Sequence, residues 1–119
     1  MAFDPLQFYK IAEVVYSTLD NESAFRTVIG RSYYSAFLSA RNKANINSAV
    51  KDGHKAVVSF YQSKNDLLLV GIGNRLDTMR VTRANADYDC DLAVTKREAG
   101  KSLKLCEDIL GRLGVLNKN

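Results

Sequence analysis

Apolar residues recur at three- and four-residue steps along most of this chain, and the places where that rhythm breaks divide it into helical segments. The first opens with Asp4 as an acidic N-cap, Pro5 at the first helical position and Gln7 three residues after the cap. A helix to about Leu19 is expected there, with Phe8, Ile11, Ala12, Val15 and Leu19 as its buried stripe. After the break at Asp20-Asn21, Asn21 caps a second helix to about Ala44. Glu22 suits its positive end, and Ala24, Val28, Phe37 and Leu38 supply apolar surface. Gly30 inside it suits close approach of a neighbouring helix.

From Asn45 to Gly53 turn residues follow one another without a period, which predicts a loop. Ala56, Val57, Phe60 and Tyr61 predict a short third helix from His54 to about Gln62, ended by Ser63-Lys64-Asn65. The run Leu67 to Ile72 is apolar enough for a buried strand. Leu68, Ile72, Leu76, Met79 and Arg83 nevertheless keep helical steps, so the expectation is a fourth helix over about 66–85. Thr95-Lys96-Arg97-Glu98 is a second capping box, with Val94 placed to staple onto Ala99. Ala99, Leu103, Cys106, Leu110 and Leu113 form the stripe of the last helix, and Lys101, Lys104, Glu107 and Asp108 fall outside it. Without a repeat, a low-complexity segment or a linker, the pattern predicts an all-α fold: one antiparallel bundle of four or five helices over 1–119, a single domain.

Composition narrows the classes. At 119 residues the chain suits one domain, able to hide roughly two-thirds of its unfolded surface. With 46% hydrophobic and 25% charged residues it is neither disordered nor fibrous, and a single proline favours long helices. A net charge of +4 makes polyanions plausible partners, with a merely solvated basic surface as the alternative. Two distant cysteines and one histidine exclude a disulfide framework and zinc-ligand spacing, so no metal and no cofactor are expected, and a reducing cytoplasm is the natural setting. The first residues lack a basic segment followed by an apolar run, and no window approaches a membrane span, so neither export nor insertion is expected.

The candidate chemistry lies in two segments. Arg31-Ser-Tyr-Tyr-Ser-Ala-Phe37, with Arg41 beyond it, sets arginines that are either solvated or line a site beside aromatic rings within two or three turns of the second helix, and Arg83-Ala-Asn-Ala-Asp-Tyr-Asp89 answers it at the end of the fourth. Arg31 and Tyr34 share a face. Tyrosines so placed could stack on a base or bond a phosphate, or pack against the fourth helix or across a dimer seam. Arg80, Arg83 and Asp87 stack at steps of three and four, either as a phosphate-facing arginine pair oriented by a carboxylate or as a salt-bridged helix end. His54, the single histidine, stands at a helix start, where it caps, packs or exchanges protons.

Together, Arg31 to Phe37, the Gly53-His54-Lys55 helix start, Arg83 to Asp89 and a final amphipathic helix resemble the small stand-alone HEPN-domain proteins of prokaryotes over nearly the whole chain. That resemblance implies an all-α bundle, homodimerisation and a place in toxin-antitoxin or defence systems. Many of its members are metal-independent endoribonucleases with an arginine followed, one to two turns on, by a histidine of the same helix. Histidine exchanges protons near neutral pH, and arginine supplies a fixed cation for the charge developing on phosphate. Here the corresponding positions after Arg83 are Tyr88, Asp89 and Cys90, and those after Arg80 are Asn85, Ala86 and Asp87; none is histidine. At ordinary pKa values of about 10 and about 4, Tyr88 is a poor base and Asp87 a poor acid.

The resemblance therefore implies a protein that acts on or binds RNA, a ribonuclease-like toxin or defence component with an altered site. Arg83, Asp87, Tyr88 and His54 are its candidate catalytic residues, and Arg31, Tyr34 and Arg80 its candidate RNA- or nucleotide-binding residues. The alternative is a non-catalytic nucleotide-binding or interaction module that partners a nucleotidyltransferase antitoxin.

Overall fold

The computed structural model describes residues 3–116, so the ends of the expected 1–119 domain, together with the Met1-Ala2 start, lie outside the described residues. Five helices follow one another: α1 (Leu6–Thr18), α2 (Glu22–Lys43), α3 (Gly53–Gln62), α4 (Leu67–Tyr88) and α5 (Lys96–Arg112). No strand occurs among the described residues, and none of their helices is long and apolar enough to cross a membrane. The ambiguous run at Leu67 to Ile72 is the first turn and a half of α4, which ends at Tyr88 rather than near residue 85.

α2 packs against all four other helices, and its composition explains why. Its buried positions do not form one stripe: Phe25, Val28, Ile29, Tyr33, Ala36, Phe37 and Ala40 are joined by Gly30, Ser32, Ser35 and Ser39. Small residues between large ones let neighbours approach on several sides, as a central helix requires. One end of α2 packs in a cluster of Phe25, Val28, Ile29, Ala12, Ala86, Val94 and Ala99. The other enters the main core with Tyr9, Val57, Tyr61, Ile72, Leu76, Met79, Cys106 and Leu110. Each fully buried aliphatic side chain, Ile72 and Leu76 among them, contributes about 1.5–3 kcal/mol.

Two contacts fix α3, on which the site depends. The Tyr61 hydroxyl donates to the Ala40 carbonyl at 2.7 Å, and burial pushes its pKa up to about 12, so it keeps the proton that the bond needs. At Gly73 a Cβ would stand 2.9 Å from the Val58 carbonyl oxygen and 3.1 Å from the Gln62 nitrogen, so α4 meets the α3 backbone directly. The connection between α2 and α3 is the expected loop, with left-handed Asn45 and Asp52 at its two ends. An Asx turn lies inside it, where Asn47 Oδ1 accepts from the Ala49 N–H at 2.8 Å.

The caps follow the sequence closely. Asn21 accepts from the Ala24 N–H at 2.8 Å, and both halves of the Thr95–Glu98 capping box form. Val94 and Ala99 are buried in one cluster. Asp4 does accept from the Leu6 N–H at 3.0 Å, but Pro5 is the residue that precedes the first helical turn. α1 requires a correction. Tyr9 and Ala12 are its buried residues, whereas Ile11 and Leu19, assigned to the inner stripe, are 47% and 49% exposed. The Tyr9 hydroxyl lies between Glu13, at 2.9 Å, and Glu107 of α5, and this polar anchor turns the helix. Leu68, likewise assigned inward on α4, is half exposed.

Candidate functional site

Continuing the aromatic strip of α2 by one turn leads from Tyr33, Tyr34 and Phe37 to Arg41, all on one side of the helix. Arg80 and Arg83 of α4 face this strip, His54 and Gly53 approach from the start of α3, and Asn47, Ser48 and Val50 of the loop close over it. Together they line a pocket of about 290 Å³ with three arginines and no carboxylate in its wall.

Arg83 is held most firmly. It donates to Asp87 Oδ2 at 3.0 Å and to the Tyr34 hydroxyl at 3.3 Å, and its guanidinium stands 5.5 Å from the centres of both the Tyr33 and Tyr34 rings. Burial opposes the cation, but Tyr34 and Asp87 outweigh it and leave the Arg83 pKa above its ordinary value. Arg80 lies 3.7 Å from Asp77 and is otherwise open. The Arg41 side chain has no hydrogen bond or ion pair among the described residues. The Nε atoms of Arg41 and Arg83 are both buried without a partner. An unmatched buried donor of this kind costs about 1–3 kcal/mol, which a fold accepts more readily where the rest of the group has work to do. α3 also begins at this wall without a side-chain cap, because Asp52 adopts the left-handed conformation and its carboxylate accepts no N–H of the first turn. Its first-turn amides therefore lend positive potential to the pocket.

His54 forms part of the floor. Its Nδ1 is hydrogen-bonded to the Tyr33 hydroxyl, its ring stacks near Phe37, and its buried Nε2 lies 3.8 Å from Asp77 Oδ1. Burial, reinforced by Arg80, lowers its pKa below the ordinary 6.5 despite the opposing pull of Asp77. Burial also raises the Tyr33 phenol well above the usual tyrosine range. Both rings are thus neutral at neutral pH. An adjoining pocket of about 420 Å³ shares His54 and Arg80 with the first and adds Lys55, Ser59, Gln62 and Asp77.

Of the residues singled out in the sequence, Arg80, Arg83, Tyr34 and His54 meet in this pocket. Arg31 does not: it stands on the other side of Tyr34, 6.0 Å from that ring and 5.0 Å from the ring of Phe8. The arginine-tyrosine segment is therefore divided, with Tyr34 as the partition. Asp87 touches the site only through Arg83, and Tyr88 is 77% exposed, its ring 6.0 Å from the Arg83 guanidinium. Arg41, which extends the arginine-aromatic strip of α2, lines the pocket as well, and so do Asn47 and Ser48, which nothing local in the sequence marks. Among the described residues no group of three or more His, Cys, Asp or Glu side chains is placed to hold a metal.

No family model matches the chain. Over 110 aligned residues it is 29% identical to an uncharacterized protein of Methanocaldococcus jannaschii, in an alignment that covers 75% of this chain and 62% of that protein. The chain thus spans less than two-thirds of this relative's length. No solved structure matches it.

Proposed function

We propose that this protein is an HEPN-like helical module that binds RNA or a nucleotide through phosphate, in the pocket formed by Arg41, Arg80 and Arg83. The observation that carries this reading is the convergence of three guanidinium groups on one pocket whose wall holds no carboxylate. Arginine presents paired donors in a plane that matches two phosphate oxygens, and Tyr34 at the rim offers a ring and a hydroxyl beside them. The HEPN likeness is supported by the all-helical architecture and by the meeting of residues from three of its four motifs. The test is a titration of labelled single-stranded RNA and of AMP over a salt series. Binding should weaken linearly in log salt, and Arg83→Ala should reduce affinity and lower the slope by about one. Salt-independent binding, or an Arg83→Ala protein with unchanged affinity, would sink the reading.

A ribonuclease-like toxin or defence component is the second reading, favoured by the neutral imidazole of His54 beside Arg80 and Arg83. In that chemistry His54 takes the proton of a ribose 2′-hydroxyl as its oxygen bonds to the adjacent phosphorus, the 5′-oxygen leaves and takes a proton from water, Arg83 stabilises the charge on phosphate, and Asp87 and Tyr88 orient Arg83. Its Nε2 has to become accessible for this. Metal-free cleavage of single-stranded RNA, abolished by His54→Ala and by Arg83→Ala, is the expected outcome; cleavage that survives His54→Ala removes His54 from the mechanism. Homodimerisation, a cytoplasmic location and pairing with a nucleotidyltransferase antitoxin belong to the same proposal, the first of them measurable by light scattering.

A further inference from the structure

We infer that the pocket is built for a terminal phosphomonoester, the phosphate at the end of an RNA strand or on a mononucleotide, in preference to the diester inside a strand. This rests on the phosphate-binding reading above and narrows it to one class of ligand.

Charge is the first argument. A diester carries one negative charge, whereas a monoester carries about 1.5 to 2 near neutral pH. Arg41, Arg80 and Arg83 supply three positive charges to the pocket, no carboxylate lines it, and Asp52 and Asp77 line the adjoining pocket. Asp87 holds Arg83 at 3.0 Å and Asp77 lies 3.7 Å from Arg80, so neither cation is wholly free. Arg41 has no such partner among the described residues. The uncapped amides at the start of α3 add donors at the same wall. That is more cation and more donors than one diester oxygen pair can use.

Shape is the second. Buried Tyr33 and Phe37, with His54 between them and the α3 start, close the pocket beneath, and Asn47 and Ser48 of the loop stand at its rim. At about 290 Å³ it lies at the bottom of the size range of ligand pockets. A phosphate and the sugar joined to it fill such a space. The two ester linkages of a phosphate within a strand both have to leave through the open side, whereas a monoester has one linkage to place there.

The experiment uses three labelled oligonucleotides of one sequence, with a 5′-phosphate, a 3′-phosphate or hydroxyls at both ends, each titrated with the full chain. The expected result is that a phosphorylated strand binds at least about tenfold more tightly than the hydroxyl strand, and which of the two does so identifies the end recognised. AMP and inorganic phosphate should compete. Arg41→Gln, shown to be folded by circular dichroism, should remove the preference while leaving weaker, end-independent binding. Should that variant fail to fold, the comparison of the three strands on the unaltered protein still decides. Equal binding of all three strands, weakened alike by Arg83→Ala, overturns this inference and leaves the phosphate-binding reading standing. No binding by any strand or by AMP overturns both.

Discussion

At the start of α2, Arg26 is bonded through all three guanidinium nitrogens, whereas near its end the Arg41 side chain has no hydrogen-bond partner among the described residues. Arg26 donates to Glu22 at 2.8 and 3.0 Å and to the carbonyls of Ala86, at 2.8 Å, of Asp89, at 3.0 Å, and of Leu92, which ties the end of α4 and the following loop to α2. Arg112 does the same elsewhere, bridging Asp108 and the Leu68 carbonyl at 2.9 Å each, and Arg75 bonds Asp108 at 2.6 Å. Arg26 satisfies carbonyls that the end of α4 and the loop after it leave open, while Arg112 and Arg75 join α5 to α4 through Asp108 and the Leu68 carbonyl. Arg41, Arg80 and Arg83 instead line one pocket with donors in hand. Arginine content alone does not separate the two groups; partner geometry does.

The largest expected effect is on binding. Arg41→Ala combined with Arg80→Ala should weaken RNA or nucleotide affinity by about a hundredfold, yet change stability by no more than about 1 kcal/mol in urea denaturation. Loss of the fold in that double variant would erase the contrast between the two groups. Arg26→Ala should behave in the opposite way, with about 2 kcal/mol of stability lost because three carbonyls lose a charged donor, and ligand affinity unchanged well below the melting temperature. Gly73→Ala should cost about 1–3 kcal/mol, since the new methyl meets α3 backbone that cannot swing aside. If it also weakens binding, the seating of α3 against α4 sets the pocket width.

The smallest effects concern protons. Because folding lowers the His54 pKa, the unfolded chain binds the proton more readily. The contribution of His54 to stability is therefore complete above its ordinary value of 6.5 and is lost as pH falls towards the folded value. Urea midpoints measured across this range should decline on acidification, less steeply in His54→Gln. Arg80→Ala should move the His54 titration upward in an NMR experiment, since Arg80 disfavours the imidazolium; an unmoved titration would show that burial alone sets it.

Local signals served well where one residue and its near neighbours decide the outcome. Asn21, Asp66 and Thr95 each accept the backbone N–H of their own first turn, so three helix starts are written in short segments. α1 shows where such signals fail. Ile11 and Leu19 have the same three- and four-residue spacing as the true inner set of Tyr9 and Ala12, and periodicity does not choose between them. The choice falls to the Tyr9 hydroxyl, whose partner Glu107 lies on the last helix. The site shows the same limit. Tyr34 and Arg83 could be nominated from composition and spacing, but that Tyr34 would screen Arg31 from Arg83 depends on the packing of α1 and α4 about α2.

By itself the sequence determined the helical class and where most of the helices start, because propensity, capping and spacing act within a few residues. It also held the arginines, tyrosines and histidine of the pocket. Tertiary structure decided which arginines brace the fold and which stay open. An arginine braces the fold when its donors reach oxygens of other elements, and those oxygens, the Ala86, Asp89 and Leu92 carbonyls for Arg26 and the Leu68 carbonyl for Arg112, lie far away in the chain.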